Sequence, residues 1–171
     1  PVFAPQKGAS PEQVVMLDNQ LCLWSALLKQ HTGKDVTRLK HGGAAGGITA
    51  AMHAFLNAQL ISGSEYCLTL SHFHDNLLQA GIVITGEGKI DIQSFYGKIP
   101  GTVATLCLQQ NVPVYAVVGL AEKQVLTRFD KVFTMSQYAR SIQDSIKNAP
   151  YYLKIIAQAI VDTLYSSAYS D

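Results

Sequence analysis

From Gly81 onward the chain alternates short apolar runs with helical patterns, and that alternation leaves few folds open. Ile82-Val83-Ile84 reads as a buried strand. Pro100 opens a helix that buries Val103, Leu106 and Leu108. Val112 to Val118 reads as the next strand, ended by Gly119. A short helix near Glu122 to Arg128 leads to a third strand, Lys131 to Thr134. Strands joined through helices form a parallel sheet with helices packed on its faces, so the expected class is α/β. Ligands of such sheets bind outside the carboxyl ends of the strands. Gly86-Glu87-Gly88 and Gly119 are therefore expected in loops that leave strand ends.

The residues before Gly81 carry a helical rhythm instead. Ser10 is placed to cap a helix, Pro11 suits its first position, and Gln13 completes a capping box. Val14, Leu17, Leu21, Trp24 and Leu28 then recur on one face, and Gly33 is a stop. After the run Gly42 to Gly47, Ile48, Met52, Phe55 and Leu56 mark a second helix, with Gly63 ending that segment. A short third helix is expected from Phe73 to Gln79. Two helices finish the chain, one capped by Ser141 with Asp144 nearby. The other follows Asn148 and Pro150 and buries Tyr152, Ile155, Ile156, Ala159 and Leu164. The expected division is 1–80, mostly helical, and 81–171, the α/β portion.

Composition narrows the function. Thirteen basic and twelve acidic residues leave a formal charge of +1 with no basic cluster, which argues against nucleic acid and against a polybasic membrane contact. No apolar run reaches membrane-spanning length. The start, Pro1 to Pro5, lacks the regions of a signal peptide and lacks a Met, so a longer parent polypeptide is expected. A hydrophobic fraction of 48% suits a packed core, and a mean hydropathy of +0.14 also fits apolar surface covered by further protein. Cys22, Cys67 and Cys107 are too widely spaced for a zinc site or disulfide framework. They read as buried thiols of a cytoplasmic protein.

The chemistry concentrates in Ile84 to Pro100, which combines two carboxylates, two lysines, three glycines and several hydroxyls. Phosphoryl transfer uses these types: carboxylates hold Mg2+ or position a hydroxyl, lysines offset phosphate charge, and glycine backbones approach oxygens. A polar surface loop with glycine turns is the plain alternative. The Gly42 to Gly47 run fits an anion site at a helix start, or close helix packing through small residues. Lys7 fits a phosphate-binding loop or a solvated turn. His72, His74 and Asp75 do not make a metal site, because helix residues two apart point away from each other.

Three motifs carry a resemblance. Thr85, Gly86, Glu87, Gly88, Asp91, Gln93, Gly97, Lys98 and Pro100 match the pattern T-G-E-G-R-x-D-x-Q-T-x-x-G-K-x-P of the glycerate kinase family. Phe3-Ala4-Pro5-Gln6-Lys7-Gly8-Ala9 is similar to its F-G-P-Q-K-G-A, and Gly43-Ala44-Ala45-Gly46-Gly47 to its G-A-A-G-G. The chain thus resembles the C-terminal part of a bacterial-type, glycerate 2-kinase-like enzyme. The resemblance implies two α/β domains, one Rossmann-like and one inserted into it, with 1–80 belonging partly to the insert. It implies ATP, Mg2+ and D-glycerate, a 2-phosphoglycerate product and an N-terminal half as partner; the sequence leaves the oligomeric state open, a homodimer being one arrangement.

For the site it implies that Asp91 and Glu87 serve Mg2+ or the acceptor hydroxyl, and that Lys98, with Lys89, faces phosphate. Thr85, Gly86, Gly88, Gln93 and Ser94 complete that segment, while Lys7, Gly43, Gly46 and Gly47 bind the anionic substrate. Lys89 replaces the family's Arg, Ser94 its Thr, and Gly101 comes one residue early after Pro100. Val118-Gly119-Leu120-Ala121 stands where the family often has A-G-S after the strand. The alternative reading is a nucleotide- or anion-binding module without turnover, or an inactive fragment.

Overall fold

A computed structural model describes residues 3–168. The chain forms two compact units, Pro1–Ser62 and Gly63–Asp171.

In the first unit, helix α1 (Pro11–Thr32) opens on the expected capping box. Gln13 N–H donates to Ser10 Oγ at 3.3 Å, and Ser10 N–H donates to Gln13 Oε1 at 2.8 Å. Gly33 closes it in the left-handed region, φ 73°. Helix α2 (Ile48–Leu56) is stopped by Asn57. Lys34 then caps its orphan carbonyls: Nζ donates to His53 O at 3.0 Å and Ala54 O at 3.1 Å, and also to Asn57 Oδ1. The core here is small, made of Leu28, Val36, Ala50 and Ala54. Of the apolar face expected on α1 only Leu28 is buried, and Ile48, Met52, Phe55 and Leu56 are exposed. The small residues Ala50 and Ala54 face the core instead, because they let α2 approach its neighbours.

The second unit begins earlier than the expected boundary. Gly63 opens a helix, α3 (Gly63–Leu70), rather than ending one, and α4 (Phe73–Leu77) follows. Leu68 and Leu77 enter the core of the sheet, which is why this segment groups with it. Strands β1 (Val83–Ile90), β2 (Val114–Ala121) and β3 (Lys131–Thr134) lie in the order β1-β2-β3, all parallel. Val114, Ala116 and Val118 of β2 point to one face, packed with Leu68, Leu77, Val103, Ala104 and Cys107. Tyr115 points to the other, against Ile156 and Ile160. Leu68 and Leu77 come from α3 and α4, Val103, Ala104 and Cys107 from α5 (Ile99–Gln110), and Ile156 and Ile160 from α7 (Ala149–Ala168), so helices cover both faces as an α/β sheet requires. Each fully buried Val or Ile here contributes about 1.5–3 kcal/mol relative to exposure.

Two strands run further than the sequence reading placed them. β1 passes through Gly86-Glu87-Gly88 and β2 through Gly119, in register from Val83↔Val114 to Ile90↔Ala121. The glycines permit close backbone approach: a Cβ on Gly119 would lie 2.4 Å from Gly88 O, and one on Gly86 2.8 Å from Val117 O. The expected loops are therefore paired strand. The thiols also differ from expectation: Cys107 is buried, whereas Cys22 and Cys67 lie exposed on their helices. Burial, with Asp130 adding to it, pushes the Cys107 thiol above its ordinary value.

Ser141 caps α6 (Ile142–Lys147) by accepting from Asp144 N–H at 3.1 Å. Among the described residues no helix is long and apolar enough to cross a membrane.

Candidate active site

β1 ends at Ile90, fully buried, and the chain turns at once. Asp91 caps a 3-10 turn, Ile92–Phe95: its Oδ1 accepts Gln93 N–H at 2.9 Å, and its own N–H donates to Ser94 Oγ at 3.3 Å. Ser94 is wholly buried, and its hydroxyl proton goes to Glu87 Oε2 at 2.9 Å. The other Glu87 oxygen meets Lys98 Nζ at 3.2 Å. One buried hydroxyl thus links the strand carboxylate to the turn, using both its donor and an acceptor position. Gly101, in the first turn of α5, lets the helix press on this turn, since a Cβ there would fall 2.2 Å from Ser94 O.

A second chain of contacts leaves Asp91 on its other oxygen. Lys89 Nζ lies 3.3 Å from Asp91 Oδ2 and 2.8 Å from Glu122 Oε1. Gln124 Nε2 donates to Glu122 Oε2 at 2.8 Å. The Glu122 carboxylate, then Asp91, raises the Lys89 pKa above the ordinary lysine value. Lys89, then Gln124, holds Glu122 below the ordinary carboxylate range. The path runs Lys98, Glu87, Asp91, Lys89, Glu122, with the neutral Ser94 hydroxyl standing between the two carboxylates Glu87 and Asp91. Three carboxylates are offset by two partly exposed lysines, each held in an ion pair: Lys98 with Glu87, and Lys89 with Asp91 and Glu122.

Glu87, Lys89, Asp91, Gln93, Ser94 and Lys98 come together in the second unit. Thr85 is buried in β1 opposite Ala116, and Gly86 and Gly88 are strand residues rather than loop residues. Lys7, Gly43, Gly46 and Gly47 belong to the first unit. Lys7, itself exposed, ends a 3-10 turn, Pro5–Lys7. Gly46 and Gly47 take φ of 74° and 92° before α2. A Cβ on Gly47 would meet Leu21 at 3.3 Å, so this glycine also serves helix packing. Glu122 is not legible in the sequence because Gly119 looks like the end of β2, whereas the strand runs on to Ala121. The signal was a carboxylate one residue beyond Ala121, the register partner of Ile90. A cleft of about 410 Å3 lies along β3, lined by Leu126, Phe129, Thr134 and Ser136, and none of the charged residues above line it.

Residues 1–165 match the description "Glycerate kinase family". The chain belongs to the glycerate kinase family. It is 44% identical over 118 residues to a glycerate kinase of Halalkalibacterium halodurans, covering 69% of this chain and 31% of the relative. It is 42% identical over 118 residues to the glycerate 2-kinase of Escherichia coli K12, with the same coverage of 69% and 31%. A solved structure from Salmonella typhimurium LT2, assigned as glycerate kinase 2, superimposes with a TM-score of 0.62 at 37% identity, over 98% of this chain and 44% of that one. The chain thus spans less than half the length of these relatives, and it aligns with their C-terminal part. In family terms, the signature segment is the end of β1, the turn after it and the start of α5.

Proposed function

We propose that the polypeptide containing this chain transfers the γ-phosphoryl group of ATP to D-glycerate, giving 2-phosphoglycerate, and that residues 85–98 form part of its active site. The observation that carries this reading is the joined set Lys98–Glu87–Ser94–Asp91 at the carboxyl end of a parallel strand in a glycerate kinase family chain. Ligands of parallel sheets bind at that end, and phosphoryl transfer depends on fixed charges more than on covalent chemistry.

Mg2+ fits these residues by donor type. Glu87 and Asp91 offer hard carboxylate oxygens, and among the described residues no cluster of three or more His, Cys, Asp or Glu forms an all-protein cage. That suits an ion held by one or two carboxylates while phosphate oxygens and water complete its shell. When bound, Mg2+ would draw charge from the transferring phosphoryl group. Lys98 stands at the rim, where releasing Glu87 lets its ammonium turn to a phosphate oxygen. On this reading Asp91 orients the glycerate hydroxyl and accepts its proton. In the first unit, taken by itself, Lys7 and the backbone N–H groups near Gly43, Gly46 and Gly47 are the groups suited to bind an anion, in keeping with anion binding at the start of α2. We place the reaction in the cytoplasm, where ATP and glycerate are available.

The test is ADP formation from Mg-ATP by the gene product, with D-glycerate present or omitted. Glycerate-dependent ADP with 2-phosphoglycerate as product is expected. ATP binding without turnover would replace this reading with a nucleotide-binding module.

A further inference from the structure

Asp91 and Glu122 occupy equivalent places at the ends of adjacent strands. Asp91 follows Ile90, Glu122 follows Ala121, and Ile90 and Ala121 are register partners. Two carboxylates so placed repel, and Lys89 Nζ sits between them, 3.3 Å from Asp91 Oδ2 and 2.8 Å from Glu122 Oε1. Glu122 is itself anchored: its N–H donates to Ile90 O at 3.0 Å, and Gln124 holds its second oxygen at 2.8 Å. The segment that starts at Glu122 reaches the same turn again further on. The Phe129 ring lies 6.0 Å from the Phe95 ring, and the Arg128 guanidinium 5.6 Å from the Phe95 centroid. The turn after β1 is therefore braced by residues 122–129 at two points.

We propose that Glu122 is a positioning residue: it anchors Lys89, and the anchored ammonium fixes the Asp91 carboxylate instead of binding phosphate. This assigns the loop after β2 a supporting role in place of the ligand contact a hydroxyl there would make. Its consequence for turnover depends on the glycerate kinase reading above; the contacts themselves do not.

Glu122→Ala, Lys89→Met and the double variant of the gene product test it. The Glu122 side chain is 40% exposed, so its removal leaves the core intact. Each single change should lower kcat about tenfold, with KM for Mg-ATP and D-glycerate within about twofold. The double variant should be no slower than Lys89→Met, because the two residues act as one unit. Losses that multiply, or a raised Mg-ATP KM with unchanged kcat in Lys89→Met, would overturn the proposal.

A second measurement does not need turnover. The Gln93 amide, held by Asp91 Oδ1 at 2.9 Å, should exchange its hydrogen faster in Glu122→Ala and no faster still in the double variant. Unchanged Gln93 exchange in Glu122→Ala would sink the positioning role. If the unaltered protein forms no glycerate-dependent ADP, the kinase reading fails, and the exchange result still decides the linkage.

Discussion

Asp91 holds two arrangements at once: Oδ1 caps the start of the turn by accepting from Gln93 N–H, and Oδ2 faces Lys89. Asp91→Asn keeps the shape and one acceptor while removing the charge. It should lower kcat by about a hundredfold or more, the scale of a lost electrostatic group in an active site, with the melting temperature nearly unchanged. Steady-state kinetics beside a thermal melt checks both halves. Gly101→Ala is the converse case. Its Cβ would fall 2.2 Å from Ser94 O and 2.7 Å from Phe95 Cα, both backbone atoms that cannot swing away. A loss of about 1–3 kcal/mol in denaturant unfolding is expected, together with reduced turnover as Ser94 is pushed from Glu87. Glu87, Asp91 and Lys98 were legible in the sequence because they are close along the chain. Glu122 was not, because its meeting with Lys89 depends on the pairing of two strands and on where β2 ends.

Elements were legible wherever local chemistry decides them. The Ser10 capping box, β3 at Lys131–Thr134 and the Ser141 cap of α6 follow from a few residues each. Glycine misleads where it sits inside an element instead of ending one. Gly86 and Gly119 look like loop signals and are close-approach positions inside strands, and Gly63 looks like a stop and opens α3. The junction of α6 and α7 carries its own titration. The Tyr152 hydroxyl, 2.7 Å away, followed by Arg140 N–H and Asn148, holds the Asp144 carboxyl below its ordinary 3.8. A carboxyl depressed in the folded state stabilises above its unfolded value, and that contribution disappears as pH falls through the folded one. Urea midpoints of the native protein and Asp144→Asn should differ most near neutrality and converge under acid. A difference that persists unchanged at low pH would assign the stabilisation to the neutral hydrogen bonds instead.

At the scale of the molecule, the alternation after Gly81 was sufficient for the fold class, since three short strands with intervening helices admit little besides a covered parallel sheet. The division into units was less legible. Helices α3 and α4 look like the helical segment before them, yet Leu68 and Leu77 commit them to the sheet. The mean hydropathy of +0.14 has its counterpart on α1, where Val15, Met16, Leu23 and Leu27 are all exposed. A first unit this short has too little interior to bury both its helices. Those features sit in a chain that spans 31% to 44% of its relatives' length. The most direct test of the central claim is ADP release from Mg-ATP by the gene product, with and without D-glycerate, measured for the native sequence and for Asp91→Asn. Release that requires glycerate and falls by about a hundredfold in the variant is predicted, the loss expected of a group that acts in the transition state. Release that ignores glycerate, or that survives the substitution at near-native rate, would contradict it.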